Sequence, residues 1–259
     1  LSDSNLDVFD READTYVDLA LKPAERRAMA LLADRLPAIE MLDLGVGAGR
    51  TGYTFAPLVS RYVGLDYSPR MLERARRLLG DEGVELVRGD ARDLSGIDGS
   101  FDFVLFSFNG IDAVGHEDRL KILAEVRRVL RPSGHFLFSS HSTGALPLDP
   151  RPGMSPLLSG SRLYRLYSRA TAIPYGWRIR KINRKLDLRL AAERGWIVVP
   201  GRGHDFQVDD YYVDPQYQVE QLHDAGFEVD AIFDVAGRDV TLPHSGRDPW
   251  LDYFCRVPG

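Results

Sequence analysis

Met41-Leu42-Asp43-Leu44-Gly45-Val46-Gly47-Ala48-Gly49-Arg50-Thr51-Gly52 is an apolar run that breaks into three alternate glycines and continues as a helical pattern. Such a stretch reads as a strand from Glu40 to Leu44, a tight turn and a helix N-terminus, an arrangement that brings backbone N–H groups close to a ligand. Twenty-one residues past Gly45, a second apolar run, Tyr62-Val63-Gly64-Leu65, ends in Asp66. A third, Val84 to Val87, ends in Arg88-Gly89-Asp90-Ala91. An acid at the carboxyl end of the second strand stands where a ribose lies in a doubly wound sheet. The pattern predicts an adenosine-type cofactor.

A dinucleotide fingerprint would run G-x-G-x-x-G, its third glycine packing the helix against the strand. Here Arg50 occupies that position and Gly49 comes one residue early, which disfavours an NAD(P)-dependent oxidoreductase. The Asp43-x-Gly45-x-Gly47-x-Gly49 spacing instead resembles motif I of the class I, Rossmann-like S-adenosylmethionine-dependent methyltransferases, in particular bacterial small-molecule enzymes. The resemblance continues through Val63 to Leu72, Gly89 to Leu94, Phe101 to Asn109 and Glu125 to Gly134, five blocks in family order over about 100 residues. It implies S-adenosylmethionine as methyl donor and S-adenosylhomocysteine as product.

On that resemblance Gly45, Gly47 and Gly49 pass beneath the amino-acid portion and ribose. Asp43 orients the donor's ammonium group, and Asp66 accepts both ribose hydroxyls. Tyr67 and Met71 bracket the adenine, Asp90 accepts its exocyclic amine, and the Ala91 N–H bonds its ring. Phe106 and Ser107 bring a backbone carbonyl to the ammonium group. Ser107-Phe108-Asn109-Gly110 departs from the Asn/Asp-Pro-Pro-aromatic motif of enzymes that methylate adenine or glutamine, so that acceptor class is not expected.

The rest of the chain fits an α/β domain with one insertion. Helices are expected over Lys22–Leu36, Arg50–Ser60, Ser68–Leu79, Glu117–Leu130 and Pro215–Ala225, the fourth with Leu120, Leu123, Val126, Val129 and Leu130 as its apolar side. Strands are expected at Phe101–Phe108, Phe136–Phe138, Phe227–Phe233 and Trp250–Val257. The opening, Leu1 to Ala20, has too little periodicity for a core element. The predicted fold is a doubly wound, mostly parallel seven-stranded sheet in the family order 3-2-1-4-5-7-6, its last strand antiparallel, with a helical insertion after strand five. The expected division is a cover and first helix (1–36), a cofactor-binding core (37–141), a helical lid (142–210) and the remainder of the core (211–259).

Net charge is −5 over 259 residues, but the segment 162–194 holds ten Arg/Lys against Asp187 and Glu193, about +8. That segment is read as a lid over the active site rather than a nucleic-acid surface, with some attraction for anionic acceptors. A nucleic-acid methyltransferase using it remains the alternative, as does a cofactor-binding protein without catalysis. A single cysteine, Cys255, no apolar run near 20 residues and no basic-then-apolar leader suit a soluble cytoplasmic protein without a membrane partner. No Cys/His spacing suggests a metal. For the base, His141 follows strand five on the ligand-binding side, and His204 follows the lid. Asn109, His116, Tyr211 and Tyr212 are candidate acceptor contacts, and Tyr16, Tyr211 and Tyr212 could close over the methyl donor. The expected activity is methylation of an O or N atom of a small molecule, a natural-product or sugar intermediate.

Overall fold

The computed structural model describes residues 3–12, 18–80, 83–97, 99–149, 174–201, 206–244 and 246–259. Five parallel strands, β1 (Glu40–Leu44), β2 (Arg61–Asp66), β3 (Val84–Arg88), β4 (Phe101–Phe106) and β5 (Leu130–Ser142), form the sheet in the order β3-β2-β1-β4-β5. Two hairpins extend it. β8 (Glu228–Phe233) pairs with β9 (Trp250–Arg256), and β9 runs antiparallel to β5, so the order 3-2-1-4-5-7-6 expected for the core strands holds. The other hairpin, β6 (Trp196–Pro200) with β7 (Asp209–Val213), falls where no strand was expected.

Its attachment follows from the length of β5. Expected as three residues, β5 runs for 13 and outlasts β4, whose last pair is Phe106 with Phe138. His141 pairs with Trp250 of β9 and also with Tyr212 of β7. A strand has two edges, so β7 takes the edge that β4 has vacated. The hairpin therefore stands over the carboxyl end of β4, beside the crevice where ligands bind in a doubly wound sheet.

Apolar layers cover both faces, as a parallel sheet requires. One joins Leu42, Val104 and Phe136 to Ile122, Leu123 and Val126 of α5 (His116–Val129) and to Leu222 of α8 (Pro215–Asp224). The other joins Met41, Phe103 and Leu137 to Ala28 of α2 (Pro23–Leu31), Phe55 of α3 (Arg50–Phe55) and Leu72 of α4 (Pro69–Leu79). The expected helices over 22–36 and 50–60 tighten to 3-10 turns at Ala33–Ala38 and Ala56–Leu58, where Pro37 and Pro57 cannot continue the backbone ladder. Ser68 caps α4 by accepting the Met71 N–H, with Pro69 in the first turn.

Two local readings differ. Asp3–Glu12 forms α1, held by tertiary contacts that periodicity does not reveal: Phe9 packs edge-on against Tyr67 and Asn5 donates to the Ala113 carbonyl. In α5 the expected Leu123, Val126, Val129 and Leu130 are buried, but Leu120 is 37% exposed and Arg119 is fully buried in its place. The insertion supplies α6 (helical over 174–183) and α7 (Leu188–Arg194), whereas 150–173, with the first three cations of the basic segment, lies outside the described residues.

Candidate functional site

A cavity of about 400 Å³ opens at the carboxyl ends of the parallel strands. That is within the size range of small-ligand sites. Of the residues singled out in the sequence, Gly45, Gly47, Asp66, Tyr67, Met71, Asp90, Ala91, Phe106, Ser107, Asn109 and His141 line it. Asp43, Gly49, His116, Tyr211 and Tyr212 lie behind or beside it. His204 and Tyr16 lie outside the described residues.

One end of the cavity is built from the first two strand ends. Gly47 adopts φ +56°, and its N–H donates to Asp66 at 2.9 Å, while the Ser68 N–H donates to the other oxygen at 2.8 Å. Burial pushes the Asp66 carboxyl up to about 6, against the pull of those N–H donors. Tyr67, Met71 and Phe9 supply apolar walls, the last from the α1 that sequence reading passed over. The carboxylate of Asp90 is gripped by Arg92, Nε at 3.0 Å and Nη2 at 2.6 Å, and Arg92 also reaches Asp118 at 2.7 Å. Burial raises the Asp90 pKa, but the Arg92 hydrogen bonds and charge outweigh it and hold the group below the usual carboxylate range.

Two residues expected at the ligand do not line the cavity. Asp43 shares its side of β1 with Met41, and its Oδ2 accepts from Thr51 in the first turn of α3 and from the Tyr62 hydroxyl at 2.5 Å. Complete burial pushes its pKa up to about 6. Gly49, at φ +93°, is the packing glycine, because a Cβ there would press on the Ala75 backbone and on Leu79 of α4. The packing glycine thus comes one residue earlier here than in the dinucleotide fingerprint, and it packs against α4. Arg50 is thereby released for a different task. It forms a bidentate ion pair with Glu25, at 2.7 and 2.5 Å, and donates to Ser107 Oγ at 2.8 Å, while Ser107 also bonds Glu25. Glu25 was missed in the sequence, although Lys22-Pro23-Ala24-Glu25 carries the signal of a helix start with an acid at the third position.

At the other end Phe108 and Asn109, both with positive φ, turn the chain after β4. The turn presents Asn109 Nδ2 to His141 Nε2 at 3.2 Å. His141 Nδ1 lies 2.8 Å from Asp112 Oδ2, which also accepts the His141 N–H at 2.6 Å. Because an ionised carboxylate only accepts, Nδ1 carries the proton and Nε2 presents its lone pair. Asp112 is fully buried and anchored by Arg119 at 2.5 Å and Ser140 at 2.8 Å, and Arg119 also bonds Gln218. Burial lowers the His141 pKa, yet the Asp112 hydrogen bond and the charges of Asp112 and Asp210 prevail and raise it above its ordinary value. The signal for Arg119 was present: residues 119, 122, 123 and 126 share one helix face, and a cation among apolar partners implies a buried acid.

His116, Tyr211 and Tyr212 fasten the β6–β7 hairpin rather than line the cavity. His116 stacks on Trp196 with ring centres 4.5 Å apart, and its Nδ1 hydrogen-bonds the Tyr211 hydroxyl at 2.8 Å. Burial lowers its pKa, which keeps it neutral. Tyr212 packs beside His141, rings 4.9 Å apart, and joins Leu148, Ile179 and Val199 in a small apolar cluster. The hairpin instead offers Val208 and Asp210 to the cavity, with Trp250 of β9 beside them.

The cradle fits an adenosine with a charged tail. Asp66 presents a carboxylate to the cavity, the walls of Tyr67, Met71 and Phe9 suit a base, and a Cβ on Gly45 would press on the Phe106 ring. A family model described as a methyltransferase domain matches residues 41–134. The chain is 39% identical over 135 residues to a demethylmenaquinone methyltransferase of Clavibacter sepedonicus, a match covering 52% of each chain. It is 30% identical over 259 residues to an uncharacterized protein of transposon Tn4556 from Streptomyces fradiae, covering 94% of this chain and 67% of that one. The crystal structure of an S-adenosylmethionine-dependent methyltransferase from Clostridium acetobutylicum superposes with a TM-score of 0.62 at 14% identity, covering 98% of this chain and 97% of that one. The match to the menaquinone-pathway enzyme therefore spans about half of that protein's length.

Proposed function

We propose, from the methyltransferase-domain match over 41–134, that the chain is a class I, Rossmann-like S-adenosylmethionine-dependent methyltransferase that methylates an O or N atom of a small molecule, with His141 as general base. The observation that carries this reading is the cavity that joins the Asp66–Gly47 cradle at one end to the Asp112–His141 pair at the other. When bound, S-adenosylmethionine supplies a methyl group on a sulfonium, whose leaving group is a neutral thioether.

In this reading Asp66 holds the ribose and Tyr67, Met71 and Phe9 enclose the adenine. The Asp90–Arg92 pair borders that ring, and the backbone at Ala91, Phe106 and Ser107 supplies the remaining polar contacts. Asp43 and Gly49 keep the loop in place from below. As the acceptor displaces the Asn109 Nδ2 donor from His141 Nε2, that nitrogen takes the acceptor's proton and Asp112 stabilises the imidazolium. Positioning contributes most of the acceleration, since the leaving group needs no help. Segments 1–36 and 142–210 serve as covers on the cofactor and acceptor sides of a core formed by 37–141 and 211–259. The acceptor is a natural-product or sugar intermediate. Among the described residues no helix is long and apolar enough to cross a membrane.

Titration calorimetry with S-adenosylmethionine, S-adenosylhomocysteine and NAD, followed by an acceptor screen, tests the proposal. Binding of the first two and not the third is expected. Binding of NAD alone would overturn it.

A further inference from the structure

We propose that the outer face of the 174–194 segment docks on the anionic surface of a phospholipid bilayer. The segment holds seven Arg/Lys against Asp187 and Glu193, and all seven are exposed. Trp177 stands among them, at 69% the most exposed large apolar side chain among the described residues. Residues 174–183 are helical, so Trp177, Arg180 and Lys181 share one face at i, i+3 and i+4, and Arg184 and Lys185 follow in the turn beyond. The opposite face is already used, since Ile179 is fully buried in a cluster with Leu148, Val199 and Tyr212.

Charge and apolar exposure together choose the partner. Leu188, Leu190 and Val198 are exposed as well, so four of the ten exposed large apolar side chains among the described residues fall within 22 positions. A nucleic acid would meet the cations with its phosphates and the indole with its bases, but it gains nothing from aliphatic side chains held in water. A bilayer boundary takes all three. Basic side chains meet anionic headgroups, an indole settles at headgroup level, and aliphatic groups enter the acyl margin. A second copy of the chain, packed face to face, would bring like charge to this surface. The two acids are engaged within α7, where Asp187 accepts the Leu190 N–H at 2.9 Å and Glu193 pairs with Arg189 at 3.0 Å.

The surface belongs to the packed unit that backs one end of the cavity. Ile179 of α6 and Val199 of β6 share their cluster with Tyr212, whose ring lies 4.9 Å from that of His141. Docking of this kind sinks one helix face about 5–10 Å into the headgroup boundary and needs no spanning helix. The lack of an apolar run of ~20 residues therefore does not bear on it. Each cation within a Debye length of the surface raises partitioning about fivefold, and added salt removes that gain.

Sedimentation of the whole chain with vesicles tests the proposal, using phosphatidylcholine alone and phosphatidylcholine with an equal share of phosphatidylglycerol, both at physiological salt. The chain is expected to sediment with the anionic vesicles, to stay in solution with the neutral ones, and to be released by added salt. Its tryptophan fluorescence should shift to the blue on the anionic vesicles, and Trp177→Phe should keep the binding while losing that shift. Replacing Arg180, Lys181, Arg184 and Lys185 with Gln should reduce partitioning about a hundredfold or more, and Trp177→Ser about tenfold. Every replaced side chain is exposed, so the thermal unfolding midpoint of each variant should stay that of the unaltered chain. No sedimentation with anionic vesicles, equal sedimentation with neutral ones, or undiminished sedimentation of the quadruple variant would overturn the proposal. So would tight binding of single-stranded RNA in place of the anionic vesicles, which would assign the face to a nucleic acid, or a dimer that the quadruple variant dissolves, which would assign it to a second copy.

Discussion

Asp66 carries two opposed demands. Its raised pKa, about 6, means that the folded chain binds that proton more tightly than the unfolded chain, whose carboxyl titrates near 3.9. Stability from this group is therefore present below about pH 4 and lost as pH rises through about 6. A ribose hydroxyl, by contrast, donates best to the ionised form. The rise in Tm produced by S-adenosylhomocysteine should accordingly be larger at pH 7.5 than at pH 5, as a thermal-shift series would show. Asp66→Ala should weaken that ligand by roughly 2–4 kcal/mol by calorimetry, the worth of two charge-assisted hydrogen bonds less what water returns. Unchanged affinity would remove Asp66 from the site. His141 predicts a different profile. Its pKa is raised, and a base must be neutral, so kcat should climb with pH through a value above the ordinary 6.5 or so and then level off. His141→Ala should lower kcat by ~10²–10⁴, abolish that limb and spare S-adenosylhomocysteine affinity.

Among the elements, α2 carries the least expected duty. Its Glu25 is 2% exposed in the side chain and Arg50 is 17% exposed, so the ion pair that ties α2 to the start of α3 and to Ser107 is shielded from water. Burial raises the Glu25 pKa, but Arg50 and Ser107 prevail and lower it. A lowered carboxylate contributes stability above its unfolded pKa and loses it as pH falls through the folded value. Removing one member strands the other in a dry site. Glu25→Ala should therefore cost about 3–5 kcal/mol in urea unfolding, while the double variant Glu25→Ala with Arg50→Met should recover part of the loss. A cost below about 1 kcal/mol for the single variant would show that the pair is solvated in solution. Arg119 with Asp112 follows the same logic on the opposite face of the sheet, where it fixes the imidazole.

For the whole molecule, the question is what the basic segment does. Arg180, Lys181, Arg184 and Lys185 are exposed on and just after α6 and do not line the cavity, while Ile179 of that helix is fully buried. A polyanion site would lose about 0.7–0.9 log units of affinity per phosphate for each tenfold rise in salt. Replacing these four residues with Gln should leave S-adenosylhomocysteine affinity unchanged, and fluorescence titration with single-stranded RNA should find no tight binding at physiological salt. Tight RNA binding that disappears in the quadruple variant would favour a nucleic-acid methyltransferase.

Local pattern sufficed for much of this protein. The strand, alternate glycines and helix at 40–55, and the acid that ends β2, are dictated by backbone geometry within a few residues, so they were legible together with the core strand order and the cofactor class. What lay beyond the sequence were pairings between residues far apart in the chain. Arg119 falls outside the apolar side expected for its helix, yet Asp112 and Gln218 meet it in the core, and a binary pattern does not name a partner 99 residues away. Tyr211 and Tyr212 were noticed for their rings, but it is their neighbour Asp210 that reaches the cavity. Side chains alternate along a strand, and the register of β7 on β5 decides which one points inward. Sequence alone determined the scaffold and the kind of cofactor it cradles. Tertiary structure decided which histidine has a buried acid behind it and which carboxylate of β7 reaches the cavity, because both depend on residues far apart in the chain being brought together.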